Sequence, residues 1–433
     1  MRIETTKKFL FAQAEVASIL IITRIGNTWE PSYPRNDNHN PEMFWAMNAL
    51  LFVAGMLTLK HTPKDRMTVL NRSQTEEWKG WMQWAFIMYH YYRMWSVYNT
   101  IRVFVSSYVW MTGFGNFLYF DKKRDFTFSR MCSMWVRINY FPLLLVFCIG
   151  VPLHLFYIVP LHTVGFLVTM ATCYLAYLLE MKQGMSYWQS RVGAVIISGL
   201  CHVFFYETNL KNILLVFGEE AGNEYIFRFS SDKYSAFLGI LSGMAWRKIA
   251  ELANFHHVQN PSNIKSITQI VTGILMIAFW WIFFGSISDK FEYNPLHPYI
   301  FWIPLVGFLL IRNSSKYLSE VHCTALDFFG RITLETYVLQ FHLFMNNNVQ
   351  HIPIVFPGSG PNGQPFARFL NMLLCGLVFV VVALRARKVT ISTQEFVIEL
   401  MENMNATPVN PKEPAKDEES QKLVEMTTVT SEK

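Results

Sequence analysis

The sequence predicts an all-α, polytopic integral membrane protein, a helical bundle with about 12 transmembrane helices. Hydrophobic residues make up 52% of the 433 residues and charged residues only 16%, and the mean hydropathy is +0.21. A soluble protein of average composition carries charge on about a quarter of its residues. Apolar runs of roughly twenty residues, the length that a bilayer core requires, recur along the chain.

The net charge of +6 indicates membrane topology rather than a nucleic acid partner. The basic side chains are spread over short loops and form no stripe. The six cysteines show no CxxC spacing, and the histidines lack the spacing of metal ligands. We therefore expect no disulfide framework and no metal site.

The predicted spans divide the chain into three parts. Residues 1–42 contain a first span and a short lumenal loop, and residues 43–388 form the multi-span membrane domain. Residues 389–433 are expected to be a disordered cytosolic tail, because the sequence from about Thr407 onward is rich in Glu, Lys, Pro, Ser and Thr. The predicted spans are 9–22, 44–59, 80–98, 101–119, 138–151, 157–180, 191–206, 233–253, 266–286, 298–312, 323–345 and 366–384.

Alternating loop charge supports this order of spans. Cytosolic loops carry an excess of Lys and Arg, and every second loop is basic, such as the loop with Lys122, Lys123 and Arg137. The intervening loops are short, balanced or neutral. The pattern predicts that both termini are cytosolic.

The stretch from Asn71 to Arg93 combines a polar start with an apolar, aromatic continuation. Charged and amide residues alternate with tryptophans up to Gln83, and the run from Trp84 to Tyr92 holds one histidine, His90. The pattern is typical of a span entered from an aromatic interfacial belt. Contact with lipid headgroups explains each ionisable group taken alone, whereas the set together indicates a site.

Three other constellations place polar groups where hydrocarbon is expected. In the run from Trp110 to Phe120, Gly113 and Gly115 favour close helix packing, and Asn116 is polar within the span. The second constellation is Arg228 with Asp232, spaced as an i,i+4 ion pair near a span end, and Arg102 is another charged residue on the lumenal side. The third is His297, which is expected to be a solvated histidine near the lumenal interface.

The segment from Gly330 to Met345 carries the strongest signal. Glu335 and His342 lie in an otherwise apolar helix, where an ionisable residue indicates a functional site. Seven residues separate them, which places both on one helix face about 10 Å apart along the axis. A buried histidine held by a carboxylate for stability is the alternative interpretation.

These motifs together resemble a known family. NRSQTEEWKGWMQ with YHYY, NTIRVFVSSYVWMTGFGNFLYF, R-x-x-x-D-K-Y at 228–234, LHPYIFWIP with LIRN, and GRITLETYVLQFH occur in this order between about residues 43 and 385. They look like the multi-span domain of the plant reduced-wall-acetylation proteins, the fungal capsule O-acetylation protein and the animal sialic acid O-acetyltransferase. The wall-acetylation type looks most similar. The resemblance implies O-acetylation of glycans at the Golgi membrane, with acetyl-CoA as donor substrate and no bound cofactor.

Two features depart from that family. The animal and fungal relatives carry a lumenal SGNH hydrolase-like domain with a Gly-Asp-Ser motif, and this sequence contains no Gly-Asp-Ser. The resemblance therefore implies a separate SGNH-type transferase as a possible partner. Where relatives usually have Arg before Tyr234, this chain has Lys233, which keeps the charge and loses a bidentate fork.

The implied donor and the predicted topology agree. Acetyl-CoA is cytosolic, its phosphates need cations and its adenine needs apolar walls, and the cytosolic mouth supplies both. We hypothesise that His342, or else His90, acts as general base or transient acyl acceptor, with Glu335 or another carboxylate setting the histidine tautomer. The donor-site candidates are Arg72, Glu77, Trp78, Lys79, Trp81 and Arg312, and the acceptor-side candidates are Arg102, Asn116, Arg228, Asp232 and His297.

A secondary transporter for acetyl-CoA or another organic anion is the alternative. Buried charges, aromatic walls and a dozen spans suit a transporter equally well. A transporter releases intact CoA into the lumen, whereas a transferase leaves CoA in the cytosol.

Overall fold

The computed structural model describes residues 3–62, 69–252 and 263–405, which form a bundle of helices with four three-residue strands. The helices are α1 (Ile3–Asn27), α2 (Pro41–Leu57), α3 (Arg72–Tyr91), α4 (Tyr98–Lys123), α5 (Phe128–Leu145), α6 (Ile158–Gln183), α7 (Tyr187–Glu207), α8 (Glu219–Ser231), α9 (Ser235–Leu252), α10 (Asn263–Trp280), α11 (Lys290–Ile300), α12 (Trp302–Arg312), α13 (Lys316–Glu320), α14 (Thr324–Arg331), α15 (Thr333–Leu339) and α16 (Pro365–Asn405).

Two small antiparallel sheets mark the two ends of the bundle. Strand β1 (Ser32–Pro34) pairs with β4 (His351–Pro353), and β2 (Leu59–His61) pairs with β3 (Val321–Cys323). Helix α2 separates the sheets, because its 17 residues rise by about 25 Å. We call these the β1–β4 end and the β2–β3 end.

The start of α3 is fixed by its own sequence and then anchored to β3. The Asn71 side chain accepts a hydrogen bond from the Gln74 backbone N–H at 2.8 Å, and the Gln74 side chain accepts one from the Asn71 N–H at 3.2 Å. This is a capping box, which satisfies N–H groups that the first helical turn leaves unpaired. Gln74 Nε2 also donates to the Ser319 carbonyl at 2.7 Å, so the cap ties α3 to the segment that leads into β3.

Glycines let two helix pairs approach to backbone contact. A Cβ atom at Gly80 of α3 would lie 2.0 Å from the Leu326 carbonyl oxygen of α14, and one at Gly113 of α4 would lie 1.9 Å from the Ala236 oxygen of α9. Small residues at such crossings are typical of helix packing in membranes. Gly113 therefore has the packing role expected from the sequence. The same expectation for Gly115 is wrong, because no atom of another described element lies within 4 Å of its Cβ position.

The helices support a multi-pass membrane protein without fixing the number of spans. Among the described residues, five helical segments are long and apolar enough to cross a membrane, and the pair α11–α12, bent by 52°, makes a sixth if it counts as one broken span. Helix α2 is apolar but shorter, with 17 residues. The count of about 12 therefore stays a prediction. The five segments are Glu4–Asn27, Phe128–Gly150, Ile158–Gln183, Ile264–Gly285 and Pro365–Met404.

Two helix boundaries differ from those predicted. Helix α5 begins at Phe128, capped by the Thr127 side chain, so Arg137 lies inside a helix and not in a loop. Helix α16 continues to Asn405, so residues 389–405 are helical and the disordered tail does not begin at 389. The continuation packs against α1, where Phe396 stacks on Phe9 with ring centres 4.1 Å apart. Residues 406–433 and the last residue of the predicted span 233–253 lie outside the described residues.

The predicted single span 323–345 is divided into shorter pieces. Its first residue belongs to β3, α14 ends at Arg331, and α15 leads into a π-helical turn at Gln340–Phe344. A π turn adds a residue to the helical repeat and rotates all that follows. Glu335 and His342 consequently do not share the face that a regular helix would give them.

Two glycines two residues apart test the α4–α9 contact. Gly113→Ala should lower the free energy of unfolding by about 1–3 kcal/mol, because the new methyl group overlaps the α9 backbone. The matched change Gly115→Ala should alter it by less than ~1 kcal/mol. Thermal unfolding of the two purified variants in detergent measures both, and equal losses would contradict the close contact.

Candidate active site

A buried ion pair joins α5 to α15 inside the bundle. Glu335 is fully buried, and Arg137 NH1 donates to its Oε1 atom at 2.7 Å. Arg387 on α16 lies within electrostatic range of both residues. Its NH1 atom has no hydrogen-bond partner, and it forms no ion pair within the described part of the protein. Helices α5, α15 and α16 thus bring two arginines to one carboxylate.

A second ion pair lies near the first. Lys79 bonds to Glu76 at 2.7 Å, and the Tyr108 hydroxyl donates to the Lys79 carbonyl at 2.6 Å. Arg331 on α14 forms an ion pair with Asp327 at 2.9 Å and lies within electrostatic range of Glu76. We call Lys79, Arg137, Arg331 and Arg387 the cation cluster. These four cations are accompanied by three carboxylates, Glu76, Asp327 and Glu335.

A histidine that the sequence analysis did not select lies beside this cluster. His162 on α6 is half-buried, and its Nδ1 lies 2.6 Å from the Thr112 hydroxyl. It is also within electrostatic range of Lys79. One ring nitrogen is therefore held in place, while part of the residue stays accessible.

The other donor-site candidates lie toward the β2–β3 end, mostly in structural contacts. Arg312 donates to Glu77 at 2.7 Å and also bonds to the Val321 carbonyl of β3. Trp78 is buried against Phe308, with ring centres 4.5 Å apart. Trp81 packs against Phe104. The last candidate, Arg72, is exposed.

His342 and Glu335 are not partners, which corrects the role expected for that carboxylate. His342 Nδ1 lies 2.8 Å from Asn27 Oδ1 at the end of α1, whereas Glu335 bonds to Arg137. The π turn between the two residues is the physical reason. An Asn oxygen can only accept, so His342 carries its proton on Nδ1, and its buried Nε2 has no partner.

His90 lies among aromatic rings near the β1–β4 end of α3. Its ring packs edge-on against Phe86 and Tyr89, with centres 4.7 and 4.9 Å apart, and Phe341 lies 6.4 Å away. Its Nδ1 atom has no hydrogen-bond partner. His90 is half-buried, whereas His342 has no accessible surface. Both histidines therefore border the Phe341 ring, and only His90 is accessible.

Three acceptor-side candidates meet in one buried chain of hydrogen bonds. The Tyr293 hydroxyl lies 2.8 Å from His297 Nδ1, and His297 Nε2 lies 2.7 Å from Ser106 Oγ. Ser106 donates to Asp232 at 2.5 Å, and Arg102 donates to the other oxygen of Asp232 at 2.8 Å. All five residues are at most 2% exposed. His297 is therefore not the solvated interfacial histidine that the sequence predicted.

The expected pair of Arg228 with Asp232 is also wrong. Arg228 donates to Glu224 at 2.7 Å, one turn earlier on α8, because α8 ends at Ser231 and leaves Asp232 free to turn toward Arg102. The remaining candidate, Asn116, is half-buried and bonds only to its own helix, at the Thr112 carbonyl. Lys233, the departure from the family pattern, binds Glu207 at 2.6 Å and the Tyr299 hydroxyl at 2.8 Å.

Buried polar atoms without partners concentrate in one stretch of chain. Between Glu335 and Asn348, six such atoms follow one another from the middle of the bundle to the β1–β4 end. Burying a polar group without a hydrogen bond costs free energy, so a run of them indicates a functional surface. The atoms are Glu335 Oε2, Gln340 Nε2 and Oε1, His342 Nε2, Asn346 Oδ1 and Asn348 Oδ1.

Sequence reasoning missed several residues of this interior, for identifiable reasons. Arg137 and Arg387 were counted as loop cations because their spans were drawn too short. His162 follows Pro160 and Leu161 near the start of a predicted span, where a histidine attracts no notice. Ser106 and Tyr293 carry no pattern of their own. Within the described ranges, no three His, Cys, Asp or Glu side chains gather as a metal site would require.

Comparison with known proteins identifies the family. The family described as a 10 TM acyl transferase domain found in Cas1p matches residues 33–408. The chain is also similar to an N-acetylneuraminate (7)9-O-acetyltransferase from Danio rerio, with 27% identity over 358 residues. That match covers 78% of this chain and 44% of the relative, so this chain spans less than half of the relative's length. No solved structure matches it.

The family match covers most of the chain. It includes the cation cluster and the buried chain of hydrogen bonds from Tyr293 to Arg102. Its description gives ten transmembrane segments, which agrees with a multi-pass helical architecture. The chain belongs to the family of multi-span acyltransferase domains found in Cas1p.

Proposed function

We propose that this chain is a membrane O-acetyltransferase that acts in glycan O-acetylation. It takes the acetyl group from cytosolic acetyl-CoA and passes it to a sugar hydroxyl, or to a separate SGNH-type transferase, on the lumenal side. The observation that carries the proposal is the polar interior, with the cation cluster toward the β2–β3 end and His90 and His342 toward the β1–β4 end. The printed name of the Danio rerio relative supports the reaction type. The Golgi membrane as its location follows from the resemblance alone.

The donor would bind from the β2–β3 end, which the loop charges predict to be cytosolic. CoA carries several phosphate charges, and the cation cluster has one more cation than carboxylates. Arg387 is the cation best able to bind a phosphate, because no carboxylate pairs with it in the part of the chain described. Arg72 and Arg312 lie nearer the mouth, where they would be the first cations to meet the donor phosphates.

His90 is the residue that the geometry favours for the chemical step. His90 is half-buried, whereas His342 has no accessible surface and is held by Asn27. As general base, a neutral His90 would take the proton of the acceptor hydroxyl while that oxygen attacks the thioester carbonyl. The C–S bond then breaks and CoA leaves as the thiolate, which takes up a proton. As acyl acceptor, the same ring nitrogen would first hold the acetyl group.

His342 would act as a positioning residue in this arrangement, and it remains the second candidate for the chemical step. Its ring shares the Phe156 and Phe341 contacts that enclose the interior next to His90. Its bond to Asn27 fixes the end of α1 against the π turn.

Proteoliposomes distinguish a transferase from a transporter. They would be supplied outside with acetyl-CoA labelled separately in the acetyl group and in CoA. We expect acetyl label on the protein or on an acceptor inside, with CoA label remaining outside. If both labels accumulate inside together, the protein is a transporter for acetyl-CoA and the transferase proposal is overturned.

The two histidines should differ in their effects on the rate. His90→Ala should lower kcat for acetyl transfer by about 10²–10⁴-fold, because it removes a general base or nucleophile. His342→Asn, which keeps a polar side chain beside Asn27, should lower kcat far less. Steady-state kinetics on protein with unchanged thermal stability measures both. A larger loss in the His342 variant would transfer the chemical role to His342.

Arg387 should affect donor binding rather than the chemical step. Arg387→Gln should raise the KM for acetyl-CoA by roughly tenfold, the loss of one charge-assisted hydrogen bond of about 1.5 kcal/mol, and leave kcat nearly unchanged. The control is Lys388→Gln, which removes an exposed charge from the adjacent position. Equal effects of the two changes would argue against a phosphate contact at Arg387.

A further inference from the structure

Three arginines in the β1–β4 half of the bundle are linked by electrostatic range: Arg228 to Arg102, and Arg35 and Arg228 to His90. Arg35 and Arg102 also keep buried donors without partners among the described residues. We call Arg35, Arg102 and Arg228 the arginine site. They come from the β1–α2 connection, from α4 and from α8, so that only the folded chain brings them together. The lumenal candidates from the sequence analysis included two of them, and no role described above uses the donors that they leave free.

Arg35 has no counter-charge among the residues that the structure describes. Its Nε and NH1 atoms are buried without hydrogen-bond partners, and it forms no ion pair with the residues that the structure describes. The guanidinium carbons of Arg35 and Arg93 lie 5.8 and 5.4 Å from the ring centre of Trp95. Burial, followed by the charge of Arg93, lowers the pKa of Arg35 to about 10. Two guanidinium groups held on one indole without a carboxylate form an electropositive, aromatic wall.

Arg102 is only half satisfied by its ion pair. It is 2% exposed, and one nitrogen, NH2, bonds to Asp232. The Nε and NH1 atoms are buried and have no partner. Ser106 holds the other oxygen of Asp232, and Ser106 is in turn bonded to His297 and Tyr293, so the carboxylate that pairs with Arg102 is fixed in place.

Arg228 links these two arginines to His90. Its guanidinium lies 4.3 Å from the ring centre of Tyr157, and it is within electrostatic range of both Arg102 and His90. Arg35 is also within electrostatic range of His90. The only carboxylate on Arg228 among the described residues is Glu224, which is half exposed at the surface. The arginine site therefore adjoins the residue that we propose for the chemical step.

Lipid headgroups do not account for these free donors. Arginines at a membrane interface extend their side chains toward phosphates, with the guanidinium at the surface. The Nε and NH1 atoms of Arg35 and Arg102 are buried instead. The Tyr157 ring lies under the Arg228 guanidinium, and Tyr89 and Tyr98 are within electrostatic range of these arginines, so aromatic residues adjoin the site as they do in sugar-binding sites.

We infer that the arginine site binds an anionic group of the acetyl acceptor, a carboxylate or phosphate on a sugar, and thereby places a hydroxyl of that sugar at His90. The inference rests on the proposed function, because it names the acceptor class of the same reaction. Buried guanidinium donors bind carboxylate and phosphate oxygens through charge-assisted hydrogen bonds. A neutral sugar would leave these donors unpaired and would bind more weakly.

Equilibrium binding tests the inference without acetyl transfer. The full chain in nanodiscs of neutral lipid would be titrated with galacturonate, galactose 6-phosphate and galactose, which differ only at carbon 6. We expect galacturonate or the phosphate to bind at least tenfold more tightly than galactose. Which of the two binds more tightly identifies the anionic group. Equal binding of all three sugars, or no binding, would overturn the inference and leave the acetyl-CoA experiment unaffected.

Two variants test whether these arginines cause the preference for an anionic sugar over galactose. Arg35→Gln should reduce that preference about tenfold and should fold normally, because no ion pair among the described residues is lost. Arg102→Lys keeps the charge next to Asp232 and loses the extra donors, and it should weaken binding of the anionic sugar alone. Lys290→Gln, an exposed charge at the same end, is the control and should have no effect. Loss of sugar binding in nanodiscs with anionic phospholipid would assign the site to a lipid headgroup and contradict an acceptor site.

Discussion

The structure depends on neutralising charge inside an apolar bundle. Arg137 with Glu335 and Arg102 with Asp232 are buried ion pairs between residues that are distant in sequence. Removing one partner of such a pair leaves an uncompensated buried charge and costs about 3–5 kcal/mol. Each pair therefore fixes which helices can be neighbours: α5 with α15 in one case, and α4 with the α8–α9 connection in the other.

Pairing is incomplete in the regions that we associate with function. Arg387, Arg35 and Arg102 keep buried donors without partners, and Gln340 has no hydrogen bond from either side-chain atom. A protein that optimised stability alone would pair such groups or replace them by apolar ones. Buried polar groups without partners, which lower stability, are expected where a site must bind a charged substrate. The proposed donor and acceptor sites both include buried donors of this kind, at Arg387 and at Arg35 and Arg102.

The helix made of α14, α15 and the π turn connects the two regions. At its first part, close contact between Gly80 and Leu326 holds α14 against α3 and brings Arg331 near Glu76. Beyond the break at Ile332, the chain presents Glu335 to Arg137, and the π turn then directs His342 to Asn27. One discontinuous helix thereby supplies polar groups to both halves of the interior. An unbroken helix would present such groups only along a single face.

The sequence by itself determined the class of protein and many of the residues that matter. Apolar runs and sparse charge indicated a helical membrane protein, and Arg102, Glu335, His90 and His342 stood out because ionisable residues are rare in such runs. The partners of these residues were decided only by the tertiary structure. Ion pairs and hydrogen bonds across a bundle join residues more than a hundred positions apart, such as Arg102 with Asp232, and periodicity along one helix carries no information about the facing helix. A single π turn also changes the direction of every side chain after it, so that a spacing of seven residues did not bring Glu335 and His342 together.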